Sequence, residues 1–263
     1  MNINELIGCA VSGDTRAVSE LYDRYKNQIY YLCCLLVDGN EDVAAGMLQS
    51  AFMHVFGKLN LLKNPETFEA WSYTIAAKRC RSFYAGSGKT IDFFETAEQL
   101  PEGAEDENSF PYNNINTSRS DLVGDANACK AIESAVQDLP AAERFCILMF
   151  FFCRLTVDQI ARTLQTDSVY VRRCIISGAA LTANRIKNVE NEIPSLSKYR
   201  GAAELGAILR TCADQISVPD RVSETIIATG MSLITAARRR SLFRSRTARK
   251  TRSAGSTSTC CCR

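Results

Sequence analysis

LTVDQIARTLQTDSVYVRRCIISGAAL, residues 155–181, carries apolar stripes at helical spacing on either side of a very short polar turn. Thr156 and Gln159 stand three apart, the spacing at which a threonine hydroxyl and a glutamine side chain cap each other's backbone N–H groups. A short helix therefore starts there, over Val157, Ile160, Ala161 and Leu164. Gln165, Thr166 and Asp167 make the turn, and Asp167 or Ser168 caps a second helix. Two helices around so short a turn form the helix-turn-helix pattern. The second helix opens with Ser168, Tyr170, Val171, Arg172 and Arg173, at the position where a recognition helix places phosphate and base contacts.

Upstream, Pro140 opens a helix that runs through CILMFFFC at 146–153, and another spans about 127–137. The first block of the chain is also helical. Asp14 caps a helix to about Val37 with apolar residues at 17, 18, 21, 22, 25, 29, 32, 33 and 36, and Asn40 caps one from Glu41 to about Phe56. Asn64-Pro65 starts a third that ends near Tyr84. Short spacers make these three helices neighbours. The fold class expected is all-α, with a helical bundle at 10–85 and a helix-turn-helix domain at 126–188.

Residues 86–125 are acidic and polar with too few clustered apolar side chains to bury, and read as a flexible linker. Its opening, AGSGKT at 85–90, ends like a phosphate-cradling loop. The first glycine of G-x-x-x-x-G-K-[ST] would fall at Phe83, however, and residues 71–84 have helical rather than strand spacing. Beyond 188, residues 199–215 and 219–237 read as two further helices of a C-terminal extension, and 238–263 as a basic, disordered tail.

Charge divides along the same lines. From Arg238 onward there are nine basic residues and no acid, which leaves 22 basic against 29 acidic residues upstream. The tail suits an anionic surface or nucleic acid; the body does not. Twelve cysteines include no C-x-x-C pair, and His54 is the single histidine, so metal ligation is not expected and the scattered thiols read as small core residues. With no catalytic constellation the chain is expected to be neither an enzyme nor a binder of a cofactor or small-molecule substrate. The longest apolar run, 146–153, falls far short of the roughly 20 residues a bilayer crossing needs. No secretory leader is read in MNINELIGCAVSGD, and a cytoplasmic location without membrane insertion follows as the expectation.

The order of parts resembles a bacterial sigma factor of the extracytoplasmic-function group in the sigma-70 family. AVSELYDRYKNQIYYLC at 17–33, MLQSAFMHVF at 47–56 and FEAWSYTIAAKRCRSFY at 68–84 resemble successive pieces of that family's second region. LPAAERFCILMFFFCRLTVDQIARTLQTDSVYVRR at 139–173 resembles its fourth region. The resemblance implies a factor that binds core RNA polymerase and directs it to the −10 and −35 elements of promoter DNA, with an anti-sigma protein as a further candidate partner. It places Leu48, Gln49 and Phe52 toward the polymerase. Lys58, Asn60, Lys63, Asn64, Trp71, Tyr73, Lys78, Arg79 and Arg81 would face the melted −10 strand, where rings stack on bases and cations hold phosphate. Thr156, Ser168, Tyr170, Val171, Arg172 and Arg173 would face the −35 duplex. A linker of the length of 86–125 averages about 35 Å between its ends and extends to about 130 Å, enough to join two promoter boxes about 50–70 Å apart.

Gly46 and Ser50 stand where the family usually has acids, and Cys174 to Ala180 where it usually has further cations. Two alternatives follow: a sigma-like protein that binds polymerase or a partner without initiating, and a stand-alone helix-turn-helix regulator.

Overall fold

The computed structural model of the chain describes residues 1–86, 125–199 and 201–254, without the side chains beyond Arg240. Among the described residues every regular element is helical, as the apolar spacing predicts. The linker reading of 86–125 falls almost wholly outside them.

The first helix, α1 (Ile3–Ser12), precedes the point at which the sequence reading begins the fold. Asn2 and Glu5 form a capping box, and the helix buries Leu6, Ile7 and Ala10 before Gly13 stops it in a left-handed conformation, φ 95°. With three buried positions it is too short to announce itself by periodicity. The next three elements follow the predicted caps: α2 (Thr15–Leu36) from Asp14, α3 (Glu41–Lys58) from Asn40, and a 3-10 turn at Pro65–Thr67 leading into α4 (Phe68–Gly86). Asn64 accepts from the Glu66 N–H at 3.0 Å, so the predicted start is correct but its first turn is 3-10.

In the second block, α5 (Ala126–Gln137) is capped by Asp125, and Pro140 precedes α6 (Ala141–Ile147). The chain then widens into a π turn, Leu148–Phe152, with Cys153 N–H donating to the Leu148 carbonyl at 3.0 Å. Helices α7 (Val157–Leu164) and α8 (Ser168–Val189) form the expected pair. Beyond them lie α9 (Ala202–Gln215) and α10 (Asp220–Ala254). The helix of α10 continues past Ala237 through residues read as a disordered tail. Arginine, alanine and leucine favour helix, and no glycine or proline interrupts the sequence until Gly255.

The blocks share one buried core. Phe152, from the π turn, meets Tyr31 of α2 and Tyr73 of α4 with ring centroids 6.0 and 5.8 Å away. Arg144, 4% exposed, donates to the Asp38 carboxylate and the Gln137 carbonyl at 2.5 Å each and to the Tyr84 hydroxyl at 2.9 Å. One guanidinium thus ties the α2–α3 turn, α4 and the end of α5 together. Helix α9 is wedged beside this joint. Its Gly206 lies so close to the π turn that a Cβ there would be 2.1 Å from the Phe151 carbonyl oxygen, and Arg210 donates to Glu69 at 3.0 Å and to the Phe152 carbonyl.

Cysteines fill gaps between helices, as their scatter suggests. Cys33 lies beside Cys80, Cys146 beside Cys174, and Cys212 beside Cys129, each pair across two helices. Of the nine described, Cys9 and Cys129 are half-buried and seven are buried. The Cys33 thiol pKa is pushed up by its hydrogen bond to Cys80 and by burial, and the Cys153 thiol pKa by burial, which starves both of reactive thiolate. Among these nine, Cys9 and Cys129 should therefore be alkylated first in the native protein. Peptide mass spectrometry after a short maleimide pulse reads the order, and early labelling of Cys33 or Cys153 would contradict this packing.

Candidate nucleic-acid and polymerase surfaces

The helix pair is built as its sequence dictates. Thr156 and Gln159 cap reciprocally, at 2.9 and 3.3 Å. Gln165 ends α7 at φ 56°, ψ 47°, a left-handed position that glycine would occupy with less strain. Asp167, rather than Ser168, caps α8, accepting from Val169 and Tyr170 N–H groups at 2.6 and 3.1 Å.

The predicted −35 set divides. Thr156 is exposed but its hydroxyl serves the cap, while Ser168, Tyr170 and Arg173 are half-buried at the mouth of α8. The Arg173 guanidinium stacks over the Tyr170 ring at 4.9 Å. Val171 and Arg172 correct the sequence reading, because they are buried, at 0 and 7% exposure. They begin the inward stripe of α8 that continues through Ile175, Ala179 and Thr182. The same stripe runs through the cation-free stretch from Cys174 to Ala180, where Gly178 packs so closely on α6 that a Cβ would be 2.7 Å from Ile147 Cγ1. Two exposed residues were missed, Val169 and Arg162. The periodicity that placed Val157, Ile160, Ala161 and Leu164 inward leaves Arg162 on the outer face of α7, so the signal for it was present.

In the first block, Leu48 and Phe52 are fully buried, and only Gln49 of the predicted polymerase-facing trio is half-exposed. Phe52 packs on Tyr22 and Phe56, with centroids 4.8 and 5.5 Å away. Tyr73 is likewise a core residue, its hydroxyl donating to Gln28, and presents no ring for a base to stack on. Trp71 is half-buried against Phe68. Lys58, Asn60, Lys63 and Asn64 are exposed on and after the end of α3.

The structure gathers part of the predicted −10 set around a residue the sequence reading did not use. Arg79 donates to His54 Nδ1 at 2.7 Å, which leaves the neutral ring's proton on Nε2. Burial and then the cations of Lys58, Arg79 and Lys78 hold the His54 pKa below its ordinary value. Three predicted cations and one imidazole therefore form a single positive patch across α3 and α4. Arg81 lies apart from it, with Nη1 donating to Gln165 Oε1 at 3.3 Å, so it spans α4 and the turn of the helix pair.

Among the described residues no helix is long and apolar enough to cross a membrane. Searches against protein-family models and against curated proteins found no match to this chain.

Proposed function

We propose that the chain is a promoter-specificity factor, which binds core RNA polymerase in the cytoplasm and helps it engage promoter DNA. The observation that carries this reading is the capped helix pair, with Arg162, Ser168, Val169, Tyr170 and Arg173 at its outer end. The patch of Lys58, Lys78 and Arg79 around His54 supplies a second, separate site for phosphate. No residue is assigned a catalytic role, and the chemistry is left to the polymerase.

The test has two stages. The protein should co-elute with a bacterial core RNA polymerase at moderate salt, and the complex should then retain promoter duplex. Arg162→Ala with Arg173→Ala should weaken duplex binding about ten-fold and lower the slope of log K against log salt by about one to two. Arg172 is not used, because its burial would confuse a DNA effect with a folding one. Failure of the folded protein to bind core polymerase, with duplex binding intact, would move the assignment to a stand-alone helix-turn-helix regulator.

A second reading is favoured by the burial of Leu48 and Phe52 and by the shared core of the two blocks. It is a sigma-like protein that holds polymerase or a partner without initiating. Binding to core without run-off transcription from any promoter fragment would select it.

A further inference from the structure

Helix α3 is the element assigned to the polymerase; six of its 18 residues are buried and eight are half-buried. Of its residues only Glu41, Asp42, Gly46 and Lys58 are exposed. Helices α2 and α4 cover one flank, and α10 covers another.

Between Phe56 on α3 and Asn60 in the 3-10 turn that follows it, the partners on α10 step from Gly230 to Arg238, so the two helices run side by side in the same direction. A Cβ at Gly230 would be 2.4 Å from Phe56 Cδ2 and 2.9 Å from Cε2. Glycine costs a helix interior about 1 kcal/mol relative to alanine; here it lets α10 lie directly on the ring. Polar contacts pin the two ends of the seam. Tyr22 donates to Ser223 Oγ at 2.9 Å, and Arg238 donates to the Ser12 carbonyl at 2.5 Å.

The seam is narrow. From Asp220 to Arg240 the buried residues are Ile226, Gly230 and Ile234, one per turn, whereas α9 buries eight of its 14 residues. Its lower end leaves a cavity of about 50 Å³ between Val11, Phe56, Leu59, Ile234 and Arg238. The short segment Ile216–Pro219 joins α10 to α9, so α10 can leave without dismantling the helix before it.

We infer that α10 is a built-in cover for α3, which occupies the polymerase-docking flank in the closed chain and must swing away before core RNA polymerase can bind. This inference rests on the promoter-specificity reading. A cover seated in about nine-tenths of molecules lowers apparent affinity about ten-fold.

The test uses the full chain in two variants. Gly230→Leu drives a side chain into the buried Phe56 ring; Ser223→Ala with Arg238→Ala removes the polar anchors at exposed or half-buried positions. Hydrogen–deuterium exchange should rise in peptides covering residues 47–60 and 220–240 while α5 to α9 stay protected. Affinity for core RNA polymerase should rise about ten-fold in step. Released α10 with unchanged or weaker polymerase binding overturns the inference and leaves the proposed function standing, provided the parent chain binds. Unchanged exchange in both variants also overturns it. If no form binds core although exchange shows α3 uncovered, the proposed function itself fails and the inference falls with it.

Discussion

Gly206→Ala should lower the unfolding free energy by about 3 kcal/mol or more, the largest effect expected of any single methyl group in this protein. The added Cβ would meet the Phe151 carbonyl oxygen at 2.1 Å and its carbon at 2.8 Å. These are backbone atoms inside the π turn, so no rotamer change relieves the contact. Either α9 is pushed off the joint or the π turn rearranges, and both disturb Phe152, where the two blocks meet. Urea unfolding followed by circular dichroism measures the loss. A cost below about 1 kcal/mol would mean that α9 is not seated this closely.

Arg144→Met should cost about 2–4 kcal/mol, since it removes three hydrogen bonds from a charged, buried donor and leaves the Gln137 carbonyl and Tyr84 hydroxyl to find other partners. Asp38 is half-exposed and returns to water without difficulty, which keeps the cost from being larger. Lysine should not restore the loss, because a single ammonium cannot reproduce a planar fork that reaches three elements. Differential scanning calorimetry adds a second readout. Weakening this one joint should split a single transition toward two, whereas a small loss with an undivided transition would show that the aromatic contacts hold the blocks together without the arginine.

Much of this architecture was legible because caps and periodicity are local. Asp14, Asn40, Thr156 with Gln159, and Pro140 each mark a helix start that the structure shows. The π turn was not legible, because CILMFFFC is apolar at every position and so carries no phase from which to read its pitch. Misplaced site residues share a different cause. Leu48, Phe52 and Tyr73 were placed on surfaces by the resemblance, and Val171 and Arg172 by their position at the start of a recognition helix, whereas the helix stripe on which each sits turns it inward. Arg172 is the instructive one: a cation at the start of a helix reads as a surface residue until its partners three, seven and ten positions on, Ile175, Ala179 and Thr182, are seen to be buried too. The grouping of Lys58, Lys78 and Arg79 around His54 depends on how α3 lies against α4, and no local rule reports that.

The aromatic joint also bears on how the chain is made. Tyr31 and Tyr73 are synthesised long before Phe152, which completes their packing. On a ribosome, α1 to α4 can coil as they emerge, but the ring that closes their apolar flank arrives some 80 residues after Tyr73. Contacts of such sequence separation slow folding, and the waiting surface is the kind that nascent-chain chaperones shield from aggregation. The first four helices therefore emerge as an unfinished unit, whose aromatic flank is covered only when the second block arrives.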